Sequence, residues 1–317
     1  MMKRVLTTSV VAGLLGTLGF APVVSAEGTL YGSVRSGIMV HDGEGADAVW
    51  DLGAYDGFTD HKSSDKLWSR IGVRASHELD GGLTAGLHIE KRLDNFRTRH
   101  QNVWLSSDLG KMTFGQQGSP YQSATSWDGA NFTGGALELV GSRKSGISYA
   151  TNLEGPFNFK ALIMDDNSHE NGEGEKTGYG EGVDGFEVSG GLSMGFVNIN
   201  AGYADDDTQT HIGTTAGGSF ANIGWEVGFE TRDPENGDED TDHVGFFVDY
   251  DLGSGAPYFY LADRSGGKDD AHDGRSWVVG YGHSLGSGVR VVAEHRDSED
   301  KDENNTTTSV LAIVVSF

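Results

Sequence analysis

The last twelve residues of the chain, TTTSVLAIVVSF, alternate between larger and smaller side chains and end on an aromatic residue. Side chains of a β-strand point alternately to opposite faces, so Leu311, Ile313 and Val315 share one face with the terminal Phe317. An unprotected apolar strand would template aggregation in water. The pattern favours a closed membrane barrel whose last strand pairs with its first, although a buried strand of a soluble β-sandwich alternates in the same way.

The same alternation recurs along the whole chain. Val197, Ile199 and Tyr203 oppose Asn198 and Asn200 on the two faces of one segment, and other segments repeat this arrangement. Longer acidic segments separate short, glycine-rich turns. These turns lie near residues 80–82, 108–110, 154–156, 194–195, 217–218, 253–255 and 286–288. The pattern predicts an all-β fold, a transmembrane antiparallel β-barrel of about 16 strands with short turns at one end and acidic loops at the other.

Aromatic residues near the predicted strand ends are candidates for the belts that mark the two membrane interfaces. Simple packing is the alternative for each of them. The candidates are Tyr203, Tyr250, Tyr258, Trp277 and Phe317.

The first 26 residues differ in composition from the rest. Lys3 and Arg4 precede an apolar run over 10–20, and Val24, Ser25 and Ala26 form a small-residue cleavage pattern. This predicts a secretory signal peptide over 1–26 and one barrel domain over 27–317. No later stretch approaches the roughly 20 apolar residues of a membrane helix. The chain has no Cys, so no disulfide framework holds it together.

The chain is strongly acidic, with a net charge of −24 over 317 residues. Loss of Lys3 and Arg4 with the signal peptide would change this to −26. Such a charge argues against a nucleic-acid partner. The sequence also contains no HExxH, GxSxG, P-loop or CxxC motif, so we expect no enzymatic activity and no cofactor.

Acidic runs offer oxygen ligands to hard cations. Asp205, Asp206 and Asp207 are the candidates for Ca²⁺ or Mg²⁺, but without the spacing of a known calcium loop. Solvated external loops are the simpler interpretation. A secondary hypothesis is that divalent ions bridge such acids to lipopolysaccharide phosphates.

Several short motifs, taken in order, resemble those of Gram-negative general diffusion porins. They are the signal peptide, GTLYG at 28–32, RIGVR at 70–74, the segment 99–105 with its turn at 108–110, KMTFGQ at 111–116, and the terminal Phe317. Porins of this kind often have Gly-Arg where this chain has Gly115-Gln116, so one basic group of the pore is missing there.

The resemblance implies a sixteen-stranded barrel that forms a homotrimer in the outer membrane of a Gram-negative bacterium. It also implies that the third long loop folds into the lumen. In this sequence that loop spans about 117–142, and its few acids are Asp128 and Glu138. Lipid, lipopolysaccharide and small hydrophilic solutes are the implied partners.

If the apolar faces meet lipid, a set of arginines lines the lumen, since a lipid-facing arginine at the membrane centre costs about 2–4 kcal/mol. We expect these arginines to form a basic wall at the constriction opposite Asp128 and Glu138. The strand that carries Arg290 and Arg296 is expected to lie beside the first strand. Pairing with Glu78, Glu90 or Glu294 simply to balance charge is the alternative. The predicted wall comprises Arg35, Arg70, Arg74, Arg92, Arg99, Arg290 and Arg296.

The resulting interpretation is a porin for passive diffusion of ions and small hydrophilic solutes. A substrate-selective channel and a non-conducting structural or adhesin barrel are the alternatives. The acidic loops favour weak cation selectivity at low salt, and the constriction should dominate as salt screens the loops.

Overall fold

In the computed structural model, the chain forms one large antiparallel β-sheet with a single short helix among the residues that the structure describes. These residues are 27–43, 49–53, 69–93, 96–125, 143–151, 155–165, 183–206, 209–234, 240–266, 274–300 and 305–317. The predicted signal peptide lies outside them. No helix in this described part is long and apolar enough to cross a membrane.

Seventeen strand segments and one helix make up the described fold. They are β1 (Glu27–Gly43), β2 (Val49–Gly53), β3 (Arg70–Glu78), β4 (Thr84–Arg92), β5 (Thr98–Ser107), β6 (Gly110–Gly118), α1 (Pro120–Thr125), β7 (Arg143–Thr151), β8 (Phe157–Asp165), β9 (Val183–Ser193), β10 (Val197–Asp205), β11 (Gln209–Phe220), β12 (Ile223–Pro234), β13 (Thr241–Tyr250), β14 (Gly255–Gly266), β15 (Gly274–Gly286), β16 (Val289–Asp300) and β17 (Asn305–Ser316).

The sheet closes on itself. From β3 to β17 each strand pairs antiparallel with the next, and β17 pairs with β1. The other edge of β1 pairs with β3 near its start and with the short β2 near its end. Because β2 only extends the edge of β1, the barrel has sixteen strands, which confirms the predicted fold class. A closed barrel leaves no long unpaired edge to template aggregation.

The C-terminal strand seals the barrel as its pattern predicted. Gly32 and Phe317 exchange two backbone hydrogen bonds of 3.1 Å. Leu311 and Ile313 are exposed on the outer face, whereas Ala312 and Val314 of the inner face are buried. An outer face of exposed aliphatic and aromatic side chains is suited to lipid.

The connections are short at one end of the barrel and mostly longer at the other, but two details differ from the prediction. Gly217 and Gly218 lie inside β11, and the turn instead follows at Ala221, which has a φ of 53°. A Cβ at Gly218 would lie 2.0 Å from the Phe196 carbonyl oxygen, so this glycine permits a close strand contact rather than a turn.

The long-loop end is also less uniform than expected. Strands β12, β14 and β16 continue to Pro234, Gly266 and Asp300, so the acidic loops expected over 232–242, 264–273 and 297–305 are shorter than their composition indicated. Alternation continues into these acidic segments, and strand pairing follows the alternation rather than the charge.

One predicted interface aromatic was assigned to the wrong face. Tyr258 is buried on the inner face, where its hydroxyl donates to Glu294 of β16. The neighbouring Phe259 takes the outer face. Two aromatic residues in succession cannot both face lipid, because strand side chains alternate.

Candidate functional site

The third long loop begins with α1, which packs against the inner face of β9 to β12. The Ser119 hydroxyl donates to Oε2 of Glu187 at 2.6 Å, and the Tyr121 backbone N–H donates to the same oxygen at 3.1 Å. Glu187 lies on β9 with no exposed surface. Hydrogen bonds to a carboxylate are stronger than those between neutral groups, so Glu187 fixes the start of the loop. The predicted infolding is confirmed for the loop as far as Thr125.

A second carboxylate anchors the same helix. The Tyr121 hydroxyl donates to Oε1 of Glu230 on β12 at 2.8 Å. Burial and the neighbouring Glu230 charge raise the pKa of the Tyr121 phenol, which therefore stays protonated and remains a donor. Thr215 of β11 adds a hydrogen bond of 3.0 Å from its hydroxyl to the Ala124 carbonyl oxygen.

Two glycines provide the flat floor on which α1 lies. Gly202 and Gly213 are directly paired between β10 and β11. A Cβ at Gly202 would lie 2.9 Å from Cδ2 of Tyr121, and one at Gly213 would lie 2.6 Å from Cγ2 of Thr125. Any side chain at either position would displace the helix, so the glycines set how closely the loop approaches the wall.

The predicted arginines lie on the opposite side of the ring of strands. Arg35 of β1 is close enough to Arg70, Arg290 and Arg99 to be repelled by all three, and it is attracted by Glu294. Arg35 is paired with Val314 of β17, which is in turn paired with Arg290 of β16. The structure therefore brings four of the seven predicted arginines into one luminal cluster.

Part of this cluster is neutralised by Glu90, a buried side chain of β4. Its Oε1 lies 2.6 Å from Nε of Arg99 and 3.8 Å from a guanidinium nitrogen of Arg70. Its Oε2 accepts a 2.7 Å hydrogen bond from the Tyr31 hydroxyl. Charge balance within the wall, the alternative weighed from the sequence, is thus present for Arg99 and Arg70.

The remaining three predicted arginines are spread around this cluster. Arg74 places its guanidinium carbon 4.6 Å from the centroid of the Tyr31 ring. Arg92 is paired directly with Arg70 across β3 and β4. Arg296 lies farther along β16, where its Nε donates to the Ser276 and Ser298 hydroxyls. All three lie on the inner face, but Arg296 is separate from the Arg35 cluster along the strand.

The prediction that the strand of Arg290 and Arg296 neighbours the first strand is wrong. β17 lies between β16 and β1. The strand count from the sequence was offset by one at the seam. The inner face of β17 carries the apolar Val310, Ala312 and Val314, so no further charge separates Arg290 from Arg35.

Several predicted residues lie beyond what the structure describes or have other contacts. Asp128 and Glu138 lie outside the described residues, so their role as constriction acids stays a prediction. Gln116 shares the outer face with Phe114 and donates to the Thr98 carbonyl oxygen.

The predicted divalent-ion site also stays a prediction. Asp205 accepts a hydrogen bond from the Tyr203 hydroxyl and Asp206 accepts one from Gln209, while Asp207 lies outside the described residues. The described part of the chain holds no group of three metal-ligating side chains that could share an ion.

Sequence reasoning missed luminal lysines and the two loop anchors. Alternation with the exposed Met112 and Phe114 would have placed Lys111 in the lumen, where its Nζ lies 4.5 Å from the Trp104 ring centroid. Lys160 donates to the Ser123 hydroxyl of α1 at 3.2 Å. The anchoring roles of Glu187 and Glu230 depend on where α1 lands, and no local pattern reveals that.

The inner face of the described strands carries more basic than acidic side chains, although the whole chain is acidic. The strand register, and for Arg99 its ion pair with Glu90, places these basic residues on it: Arg35, Arg70, Arg74, Arg92, Arg99, Lys111, Lys144, Lys160, Arg232, Arg264, Arg290 and Arg296. The acidic residues on it are Glu27, Glu78, Glu90, Glu187, Glu226, Glu230, Asp249 and Glu294.

A closed barrel with a charged lumen and an infolded loop is the architecture of a pore, and the model of the Gram-negative porin family matches residues 7–303. The chain belongs to the Gram-negative porin family. It is therefore an outer-membrane porin, and the lumen described above is its channel. No curated protein matches the chain in sequence.

Solved structures of outer-membrane proteins share the fold at low sequence identity. OmpF of Salmonella typhi, in complex with daunomycin, has a TM-score of 0.70 at 13% identity and covers 92% of this chain and 97% of its own. An anion-selective porin from Comamonas acidovorans has a TM-score of 0.68 at 19% identity, with 92% and 100% covered. The trimer form of OmpT, an outer membrane protein of Vibrio cholerae, has a TM-score of 0.65 at 15% identity, with 92% and 100% covered.

Proposed function

We propose that ions and small hydrophilic solutes diffuse passively through this porin between the docked third loop and the basic wall. The observation that carries this proposal is the position of α1, which is held on β9 to β12 by Glu187 and Glu230. In a ring of sixteen strands, β1 and β3 lie half-way round from that helix. Solutes would therefore pass between a fixed loop and a charged wall, which restricts size and biases charge.

The channel prefers anions at physiological salt in this proposal. The inner face of the described strands is richer in basic than in acidic side chains, whereas the whole chain carries a net charge of −24. Fields from external loops are screened over about 8–10 Å at physiological ionic strength. Charges on the wall act on an ion at close range, so the preference for anions should strengthen as salt rises.

The functional unit in this proposal is a homotrimer without enzymatic activity. The trimer form in which OmpT of Vibrio cholerae was solved supports a trimer for a chain of the same fold. The sequence supports a non-catalytic role because it lacks the nucleophile, metalloprotease and phosphate-binding motifs noted above.

Planar-bilayer recording of the purified, refolded protein tests the proposal. We expect conductance in KCl to appear in groups of three equal steps and to rise in proportion to salt. A well-inserted barrel without conductance would contradict the channel function and leave a structural or adhesin role. Single, ungrouped steps would contradict the trimer alone.

A further inference from the structure

Two luminal cations lie on aromatic rings in the half of the barrel nearer the short turns. Lys111 is the second residue of β6, directly after the turn at 108–109, and its Nζ lies 4.5 Å from the Trp104 ring centroid. Arg74 lies in the middle of β3, with its guanidinium 4.6 Å from the Tyr31 ring centroid. Contacts of this kind attract the cation to the ring face and restrict its motion.

Glycines on adjacent strands hold both rings flat against the wall. A Cβ at Gly72 would lie 2.4 Å from Cζ of Tyr31, and a Cβ at Gly86 would lie 2.2 Å from Cζ2 of Trp104. Each ring therefore covers a glycine across the strand pair, as cross-strand aromatic–glycine pairs do. The arrangement gives the two cations rigid platforms before any solute arrives, which lowers the ordering cost of binding.

Within the described residues, neither cation is paired with a carboxylate. The side-chain hydrogen bond of Arg74 goes to Nε2 of His88 at 3.4 Å. Three carboxylates lie on the same stretch of wall, and one of them, Glu90, is occupied by Arg99, Arg70 and Tyr31. Glu78 lies on the inner face of β3 nearer the turn, and Glu27 lies at the start of β1, paired with Ser76.

Lys111 is also close enough to Arg74 to be repelled by it. Two neighbouring positive charges that form no ion pair with a described carboxylate create a site that a multiply charged anion would neutralise. Arg70 and Arg99 differ from this pair, because Glu90 already supplies their negative partner.

We propose that Arg74 and Lys111 form a binding site for small solutes that carry at least two negative charges on carboxylate or phosphate groups. The site lies in the lumen on the side of the short turns. This inference rests on the proposed channel function and adds a substrate class to it. Its consequence is that flux of such anions saturates, whereas flux of chloride does not.

The test is the conductance of the wild-type porin in planar bilayers as a function of salt concentration. Three salts are compared: potassium chloride, potassium succinate as a dicarboxylate, and potassium phosphate. We expect linear conductance in chloride and saturating conductance in succinate, in phosphate or in both. Saturation in only one of them identifies the preferred group as carboxylate or phosphate.

The variant Arg74→Gln/Lys111→Gln locates the site. Loss of two charge-assisted hydrogen bonds should raise the half-saturating concentration by about tenfold or more. The matched control is Arg275→Gln, which removes a charge from an exposed arginine on the outer side of β15, paired with Asp263. We expect this control to leave saturation unchanged. Conductance of each variant in potassium chloride shows that its barrel has folded and inserted.

Linear conductance in all three salts would overturn the proposed site while leaving the porin intact. Saturation that persists unchanged in the double variant would also overturn it. Absence of conductance even in potassium chloride would instead contradict the channel function on which the proposal rests.

Discussion

Two charged regions face each other across the lumen and differ in what their charges contact. On β9 and β12, Glu187 and Glu230 are buried and accept hydrogen bonds from the infolded loop. On β3, the side chain of Arg70 remains 37% exposed, and Arg74 is exposed as well. The acidic groups of β9 and β12 therefore fix the shape of the lumen, whereas exposed basic groups of β3 are accessible to passing ions.

The neighbouring residues explain the difference. Around Glu187 and Glu230, Gly202 and Gly213 allow α1 to approach until it covers both carboxylates. Around Arg35, the inner residues of β17 are apolar and offer no carboxylate that could hold a loop. The inner face of the strands thus anchors the loop where glycines leave enough space for α1 to approach.

Replacing Glu187 with Leu should have the largest effect, on the loop-bearing side of the lumen. The Ser119 hydroxyl and the Tyr121 N–H would lose their shared acceptor, and each buried unpaired donor costs about 1–3 kcal/mol. We expect the loop to leave the wall, which would appear as multi-level current fluctuations and as chymotrypsin cleavage at Trp127 or Phe132. The control Glu187→Gln keeps an acceptor oxygen and should remain closer to wild type. Equal resistance of Glu187→Leu and wild type to cleavage would refute the anchoring role.

A methyl group at Gly213 should disturb the same surface less. The new Cβ would lie 2.6 Å from Cγ2 of Thr125, and such overpacking costs about 1–3 kcal/mol. Partial loop release is expected by the same chymotrypsin assay. Gly282→Ala is the matched control, because a Cβ at that inner-face glycine would meet only Cδ of Arg290, at 3.8 Å. If both variants behave alike, α1 does not depend on the glycine floor.

On the basic side, Glu90→Gln should increase the net positive charge of the wall. Arg99 and Arg70 would lose the carboxylate that now neutralises them. The chloride-to-potassium permeability ratio, taken from the reversal potential across a salt gradient, should rise by about twofold. An unchanged ratio would mean that these arginines do not reach the ion path.

The smallest effect is expected for a charge pair that belongs to neither region. Arg275 and Asp263 form a 3.2 Å ion pair with side chains 66% and 52% exposed. Exposed pairs contribute less than about 1 kcal/mol. Arg275→Gln should therefore leave the urea unfolding midpoint and the permeability ratio nearly unchanged. A change in the permeability ratio as large as that of Glu90→Gln would show that selectivity does not depend on whether a charge lies on the inner face.

The barrel could be predicted well because the alternation of apolar and polar residues is visible in short segments of sequence. Lipid on the outer side requires this alternation in every strand. Ile199 and Ile313 lie on the outer face, as their period-two pattern required. Alternation also placed Arg35 and Arg290 inside, since the lipid side cannot hold them. The errors arose where a local signal has two meanings, as with the glycines of β11 and the consecutive aromatics at Tyr258 and Phe259.

The contacts of the site were harder to predict because they join distant strands. Ser119 meets Glu187, and Tyr121 meets Glu230, only after the barrel has closed. The pairing of Glu90 with Arg99 depends on a register shift between Glu90 and Lys91 that period-two reasoning does not contain. Alternation therefore predicts which residues face the lumen. Which of them contact one another can be determined only from the closed barrel.

Control of permeation by the basic wall is tested by the reversal potential of the wild-type channel across a tenfold KCl gradient, measured at low and at high mean salt. If the basic wall controls permeation, the sign should indicate anion preference at high salt, and lowering the salt should weaken that preference as the acidic loops become less screened. A cation preference that persists at high salt would contradict the claim, because loops and not the wall would then determine which ions pass.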